Sequence, residues 1–531
     1  MRPALEDFPV TPIAPVGKLS VRWPLFSFPA ALAALLVLVT LLTVRGRFND
    51  PDLWWHLKTG EIIWNTRSIP SVDLFSFTAY GHPWTAQEWL SETTIYAAWK
   101  LAGYSGLMLW LWTVSGLFIL AAYLLCCLYS RNPKVAFLGG LVAWMFSTIG
   151  LSIRPHLLGY LLLVCELLIL YLGRHRNKRW FFALPPLFAI WINLHSSFFF
   201  GLVVLGVVFF CSFCEFRLGL LAAHRWNGQA RRTLAIALGL SVAALFINPI
   251  GPKLILYPLD VMLNQPLNLQ SVAEWQPPSF DSARGFGLLL IAALVLLIPM
   301  LRGKQLEVQE LILLAVGFWF AVRHERMLFV FGILTAPVLC RLLADAWDQY
   351  EPERDRFWPN AIILGIAALV AILAFPSAQN LEKQVEDGSP VKALAYIRKA
   401  GLSGRMLNEY VYGGYLIWAA PERKVFVDGR ADLYEPAGVL IEFGQWATLQ
   451  ADPSMLLSKY HVDFCLLSRE APMSYVLPLM PGWKEVYSDK QSIVFARSQA
   501  RQIRSDGALP GFTPGQFREV ASKSTNGDYS H

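Results

Sequence analysis

The sequence predicts an α-helical polytopic membrane protein with a small α/β domain at its C-terminal end. Three observations carry this expectation. Hydrophobic residues make up 55% of the 531 and charged residues only 16%, too apolar and too sparsely charged for an ordinary soluble enzyme. Apolar runs approaching the roughly 20 residues that a bilayer demands recur as far as residue 376. Beyond that point the runs stop, and short strands alternate with helices.

Taken in order, residues 1–25 are polar and Pro-rich and are expected to be disordered in the cytoplasm. The first apolar run, 27–45, lacks a small-residue cleavage site and reads as an anchor. Residues 46–104 form a long loop rich in aromatic and polar residues. Within it, 87–100 reads as a helix lying along the interface, with Trp89, Tyr96 and Trp99 at headgroup depth. Further spans are expected near 106–129, 135–152, 157–173, 180–194, 198–216, 233–249, 284–301, 306–322, 327–345 and 359–376, about 11 in all with the first. The run 180–194 is short for a span and reads as tilted, broken or interfacial. Residues 26–376 thus form the transmembrane domain.

Loop charge orients the bundle. Lys and Arg (45) exceed Asp and Glu (38), an excess that belongs to cytoplasmic loops and implies no nucleic-acid partner. Arg131, Lys134, Arg174, Arg176, Lys178, Arg179, Arg217, Arg225, Arg231, Arg232, Arg302, Lys304, Arg354 and Arg356 fall on one side. The opposite turns hold only Arg154, Lys253, Arg323 and Arg326. The N-terminus is therefore expected inside, and an odd span count puts both the 46–104 loop and the tail outside.

The tail, 377–499, reads as an extracytoplasmic α/β domain with a partly parallel sheet. An amphipathic helix is expected at 390–400, strands at 405–408 and 424–427 with a helix at 415–419 between them, and a helix at 455–460. A strand at 464–467 and a two-stranded ending at 485–487 and 492–496 complete it. Residues 500–531 are polar and expected to be disordered. Of the seven cysteines, six lie in apolar runs and Cys465 stands in the tail. Their spacing matches no metal or disulfide framework.

The unusual polar residues gather at the outer ends of spans. The stretch Asn49-Asp50-Pro51-Asp52-Leu53-Trp54-Trp55-His56 follows the first span. Glu88 and Glu92 sit in the first outer loop, and Arg154-Pro155-His156 lies between the third and fourth spans. Asn193 and His195 follow the fifth, Asn248-Pro249 the seventh, and Glu274-Trp275 closes the loop after it. Arg323-His324-Glu325-Arg326 joins the ninth and tenth. Snorkelling to headgroups would explain any one of them, but snorkelling favours Lys, and these turns use Arg, His, Asp, Glu and Asn. The mixture suits a site that binds an anion and moves a proton. Arg offers a planar fork to phosphate oxygens, His donates to or orients a leaving group, and a carboxylate at a low-dielectric rim acts as base or metal ligand. Asp50-Pro51-Asp52 is a stiffened pair of carboxylates that could ligate a hard divalent cation, Mg or Mn, and equally makes a good turn. Trp54 and Trp55 suit either an interfacial belt or a sugar platform.

With these features the chain resembles the GT-C superfamily. These are membrane glycosyltransferases that use polyprenyl-phosphate-linked sugars, such as protein O-mannosyltransferases, oligosaccharyltransferases and lipid A aminoarabinose transferases. The likeness rests on an inside N-terminus, an acidic motif in a long first outer loop, about 11 spans and an outer α/β domain. It covers roughly residues 25–500 in architecture. The motif Asp50 to His56, with Pro83-Trp84 and Glu88-Trp89-Leu90, also looks like a stretch in bacterial membrane proteins of this superfamily. So do Asn193-Leu194-His195, Arg323-His324, and Asn408 through Gly413-Gly414-Tyr415 to Asp428-Gly429-Arg430. The resemblance implies a multi-pass protein of a bacterial inner membrane, part of the cell envelope machinery, that moves a sugar with inversion. The donor would be a polyprenyl-phosphate sugar, and the acceptor a lipid, glycan or protein. Asp50, Asp52 or Glu88 would act as base. His56, Arg154, His156, His195, Arg323, His324 and Arg326 would hold the donor phosphate, because a departing phosphate demands fixed positive charge.

In the tail, Gly413-Gly414 and Asp428-Gly429-Arg430 read either as a face that caps the cavity or as tight turns with a structural ion pair. On the first reading Asn193, Glu274, Asn408, Asp428 and Arg430 serve the acceptor or the cap. The glycines form no dinucleotide fingerprint. A transporter, a flippase or a non-catalytic binder of lipid-linked saccharide is the alternative class. Transporters carry charge near the membrane midplane, where this sequence has little beyond Glu166. A Ser or Cys hydrolase would require an elbow motif that is absent.

Overall fold

The structure, a computed structural model, describes residues 24–48, 50–271 and 273–498. The ends expected to be disordered fall almost wholly outside these residues, and Asn49 falls outside them too.

In chain order the helices of the first part are α1 (Phe28–Val44), α2 (Leu53–Thr66), α3 (Trp89–Ser130), α4 (Pro133–Ser147), α5 (His156–His175), α6 (Leu184–Leu194) and α7 (Phe198–Cys211). They continue with α8 (Gly228–Ala244), α9 (Pro252–Asn264), α10 (Pro266–Ser271), α11 (Ala283–Arg302), α12 (Val308–Arg323), α13 (Leu328–Leu342) and α14 (Phe357–Ala374). A helix falls within every run expected to span, and α2, α9 and α10 are the additions. Five are long and apolar enough to cross a membrane: α3, α4 with its 3-10 extension to Gly150, α5, α11 and α14. The run expected at 180–194 is broken, a 3-10 turn (Lys178–Ala183) leading into α6.

Local chemistry sets the boundaries. Ser27 caps α1 by accepting the Ala30 N–H, and Asn132 caps α4 by accepting that of Lys134. Pro at the first turn of each costs no helical hydrogen bond. Within α3 the backbone breaks at Ala102 and Gly103, where Gly103 takes a positive φ of 56°. The break separates an aromatic first segment, packed on α2, from the apolar segment that follows. Helix α13 is buried along nearly its whole length and packs against α3, α4 and α12, so it forms the centre of the bundle. A small sheet of β1 (Phe216–Leu218), β2 (Leu221–Ala223) and β3 (Leu306–Glu307) joins two turns at the bundle's edge.

The tail domain begins with α15 (Ala378–Gly388) and α16 (Val391–Lys399), followed by β4 (Arg405–Asn408), α17 (Gly413–Ala419), β5 (Val462–Ser468), β6 (Trp483–Ser488) and β7 (Ser492–Arg497). The sheet order is β4-β5-β7-β6, with β4 and β5 parallel and the rest antiparallel. One expected strand is corrected. Residues 424–427 join no sheet, because their backbone is satisfied elsewhere. The Asn408 side chain takes the Phe426 N–H (2.8 Å) and donates to the Val427 carbonyl (2.7 Å). Val425 pairs with Phe75 and Phe77 of the first loop instead. That pairing brings the 46–104 loop and the tail to one side of the bundle. They share a core in which Phe75 and Trp84 from the loop meet Leu416, Phe426 and Tyr434 from the tail. Each such buried side chain stabilises the contact by about 2 kcal/mol.

Candidate active site

The acidic motif opens α2. The Asp52 N–H donates to Asp50 Oδ1 (3.0 Å), a local turn that Pro51 stiffens. Asp52 stands at the helix cap position yet its carboxylate makes no capping bond. It accepts from Trp55 Nε1 (3.2 Å) and pairs with Arg154 (3.0 Å). Arg154 is engaged through all three guanidinium nitrogens: Nε meets Asp50 (2.7 Å), one terminal nitrogen meets Asp52, and the other meets Glu274 (3.2 Å). Burial pushes the Asp52 carboxyl up to about 6; Arg154 opposes this and Asp50 adds to it. Arg154 itself is held above its ordinary range by the three carboxylates, which outweigh its burial.

A second wall alternates carboxyl and imidazole. His195 Nδ1 accepts the Ser197 N–H (3.0 Å), so its proton resides on Nε2, which faces Glu88 Oε1 at 3.2 Å. Glu88 Oε2 lies 3.8 Å from His56 Nδ1, and that nitrogen lies 3.1 Å from Glu92. Burial is the main cause of the shifts here. It lifts Glu88 to about 8, so the group is mostly protonated at neutral pH, and it lowers His56 and His195 so that both stay neutral. The Glu88–His195 contact is therefore a hydrogen bond between neutral groups.

The third group comes from the turn between α12 and α13 and the loop before α11. His324 Nδ1 donates to the Trp275 carbonyl (2.6 Å), which turns Nε2 away from that bond. Arg326 lies over the Trp275 ring at 5.2 Å and only loosely against Glu274 at 3.8 Å. Arg323 lies over Trp319 at 4.8 Å and carries no ion pair among the described residues.

These groups line one cavity of about 660 Å³. Asp52, His56, Glu88, Arg154, His156, His195, Glu274, Arg323, His324 and Arg326 all reach its wall. Phe199, Phe200, Phe320, Phe329, Val261 and Met262 supply its apolar part. Five predicted residues do not line it. Asp50 lies behind Arg154. Asn193 clips helices together, accepting from Trp89 and donating to the Ala189 and Ile247 carbonyls. Asn408 is buried on the 424–427 segment. Asp428 and Arg430 form a buried pair (2.7 Å) that Asp73 joins at 2.8 Å, so they read as structural and not as acceptor ligands. Arg154 reaches the wall with a carboxylate on each of its three nitrogens.

Sequence reading missed Asp432, Tyr257, Tyr410 and Tyr160, all on the cavity wall. The Tyr257 hydroxyl donates to Asp432 (3.0 Å). Asp432 was within reach, two residues beyond a motif already singled out. Tyr257 lies in an apolar helix with no signal to mark it.

The expected divalent cation does not fit the carboxylates as they stand. Asp50, Asp52 and Glu274 converge on a guanidinium, and among the described residues no three His, Cys, Asp or Glu side chains are grouped to hold one metal ion.

The tail domain reaches this site through two glycines. A Cβ on Gly414 would stand 2.2 Å from the Pro51 carbonyl oxygen, and one on Gly429 would stand 1.8 Å from Asp52 Oδ1. Only glycine lets these backbones meet.

No family model matches the chain, and no curated protein matches it in sequence. Solved structures do match in fold. The oligosaccharyltransferase of Archaeoglobus fulgidus, tethered to an acceptor peptide, aligns at 14% identity and a TM-score of 0.51, covering 88% of this chain and 74% of that one. The oligosaccharyltransferase AglB from the same organism, with an inhibitory peptide and a dolichol-phosphate, aligns at 14% and 0.50 over the same shares. ArnT from Cupriavidus metallidurans in the apo state aligns at 14% and 0.50, covering 87% of this chain and 97% of that one. With this architecture, the chain shares its fold with the archaeal oligosaccharyltransferase and with ArnT.

Proposed function

We propose that the chain transfers a sugar from a polyprenyl-phosphate carrier to a hydroxyl acceptor on the extracytoplasmic side of a bacterial inner membrane, with inversion. The single observation that carries this is the shared cavity. Asp52 and the uncommitted cations Arg323 and Arg326 line it together, beside an apolar portion suited to a lipid chain. In this reading the acceptor hydroxyl attacks the anomeric carbon and Asp52 takes its proton. The bond from that carbon to the phosphate oxygen breaks, and the electron pair leaves with the polyprenyl phosphate. Arg323 and Arg326 neutralise the charge that grows there. Protonated Glu88 and neutral His195 keep the cavity from holding a surplus of negative charge beside the phosphate. Asp432 and Tyr257 are positioned to orient the acceptor.

The fold likeness supports the reaction class. The relatives in that comparison include an oligosaccharyltransferase solved with dolichol-phosphate. The test is transfer of a labelled sugar by the purified protein from polyprenyl-phosphate donors, read as release of free polyprenyl phosphate. Asp52→Asn should lower turnover by about 10²–10⁴. Wild-type protein that releases no carrier phosphate from any such donor, or a D52N variant at normal rate, overturns the reading.

The alternative of a carrier has one observation in its favour. Glu166 is buried on α5 with both carboxyl oxygens lacking a hydrogen-bond partner, a placement more usual in transporters. Flux of intact lipid-linked sugar in proteoliposomes, undiminished in D52N, would favour it.

A further inference from the structure

We infer that Arg154 is the resident cation of the acidic site and stands where a divalent metal would otherwise sit. The inference deepens the glycosyl-transfer reading, but site occupancy can be measured without turnover. Three carboxylates approach Arg154 from two separate segments: Asp50 and Asp52 ahead of α2, and Glu274 from the loop before α11. Each meets a different guanidinium nitrogen, at 2.7, 3.0 and 3.2 Å. Oxygen-rich convergence of this kind suits a hard divalent ion. Here a planar, permanently charged fork occupies its centre instead, held by a carboxylate at each of its three nitrogens.

Arg326 approaches this cluster only at its edge, 3.8 Å from Glu274. Arg154 also bridges the first outer loop, its own turn between α4 and α5, and the loop that carries Glu274. A guanidinium does this without an ion that must bind from solution. It also ties Asp52 by a single contact (3.0 Å), so one carboxylate oxygen stays toward Trp55 and the cavity.

The test is Mn²⁺ binding to the full-length protein in detergent, read by electron paramagnetic resonance after removal of free ion. Wild type is expected to retain no stoichiometric Mn²⁺, and its sugar transfer to be unchanged by EDTA. Arg154→Ala frees the three carboxylates to close on an ion and is expected to take up about one Mn²⁺ per chain, with six oxygen ligands completed by water. Arg154→Lys keeps a positive charge in place and should take up none. The double variant R154A/D52N should lose what R154A gained. Wild-type protein that holds one Mn²⁺, lost in D52N, overturns the inference. So does folded R154A that takes up none. Should R154A fail to fold, the wild-type measurement together with Arg154→Gln decides in the same way. A wild type inactive with every donor would sink the glycosyl-transfer reading while leaving the binding result to stand on its own.

Discussion

The backbone of Gly429 lies against the carboxylate of Asp52, so close that a methyl group on Gly429 would stand 1.8 Å from Oδ1. The tail domain therefore helps to set the position of a group at the head of α2, hundreds of residues earlier in the chain. Gly429→Ala should push Asp52 out of line with Arg154 and Trp55. A displacement of about 1 Å at a reacting group costs on the order of 10² in rate. Gly444, in the helix Val439–Ala447, has open space around it. Gly444→Ala should leave activity unchanged and stabilise by up to about 1 kcal/mol. Paired turnover and melting measurements separate the two variants, and equal effects would mean the contact is only packing.

If Asp52 takes the acceptor proton, it must be ionised. Burial raises its carboxyl to about 6, so kcat should rise with pH through about 6 and level off above it. Arg154→Lys, which weakens the fork that favours the anion, should move this limb to higher pH. A rate that is flat between pH 5 and 7 in wild type would assign the proton to another group.

The fold was legible because spans are long apolar words in the sequence, and each of the expected runs became a helix. The site was legible in part. Asp52, Arg154, Arg323 and Arg326 are costly near lipid, so composition alone marked them. What failed was any judgement of who neutralises whom. Arg154 looked like a phosphate ligand because Glu274 lies far along the chain and Asp50 belongs to another loop. Residues 424–427 looked like a strand because Val425, Phe426 and Val427 are β-branched or aromatic. Their backbone partners, Phe75 and Asn408, come from places that no local pattern names. Tyr257 carried no charge and left no mark.

Arg430 tests how the loop and tail are joined. Its side chain is wholly buried, with Asp428 at 2.7 Å, Asp73 of the first loop at 2.8 Å, and the Phe75 and Trp84 rings at 4.9 and 4.8 Å. Removing one partner of a buried ion cluster leaves the others uncompensated, at a cost of about 3–5 kcal/mol. Arg430→Met should thus lower the melting temperature and open the 46–104 loop to proteases. Replacing all three members by apolar residues should restore much of the loss. A single variant with wild-type stability and an intact loop would show that the aromatic core alone holds the two parts together.

Glu88 offers a stability test whose sign follows from its titration. Burial raises its carboxyl from the ordinary 4.5 to about 8 in the folded protein. A raised folded-state pKa means that the native state binds the proton more tightly than the unfolded chain. The stability it contributes is fully present below about 4.5 and is lost as pH climbs to about 8. Glu88→Gln keeps the shape and cannot ionise, so it escapes that loss. The variant should match wild type near pH 4.5 and melt higher than wild type above pH 8. The gap should be on the order of a few kcal/mol if the group is as dry as its burial implies. Melting curves in detergent at several pH values give the answer. A gap that stays constant with pH would mean that Glu88 ionises freely in the folded state. It would then be a second negative charge in the cavity, and the acceptor proton would have two claimants rather than one.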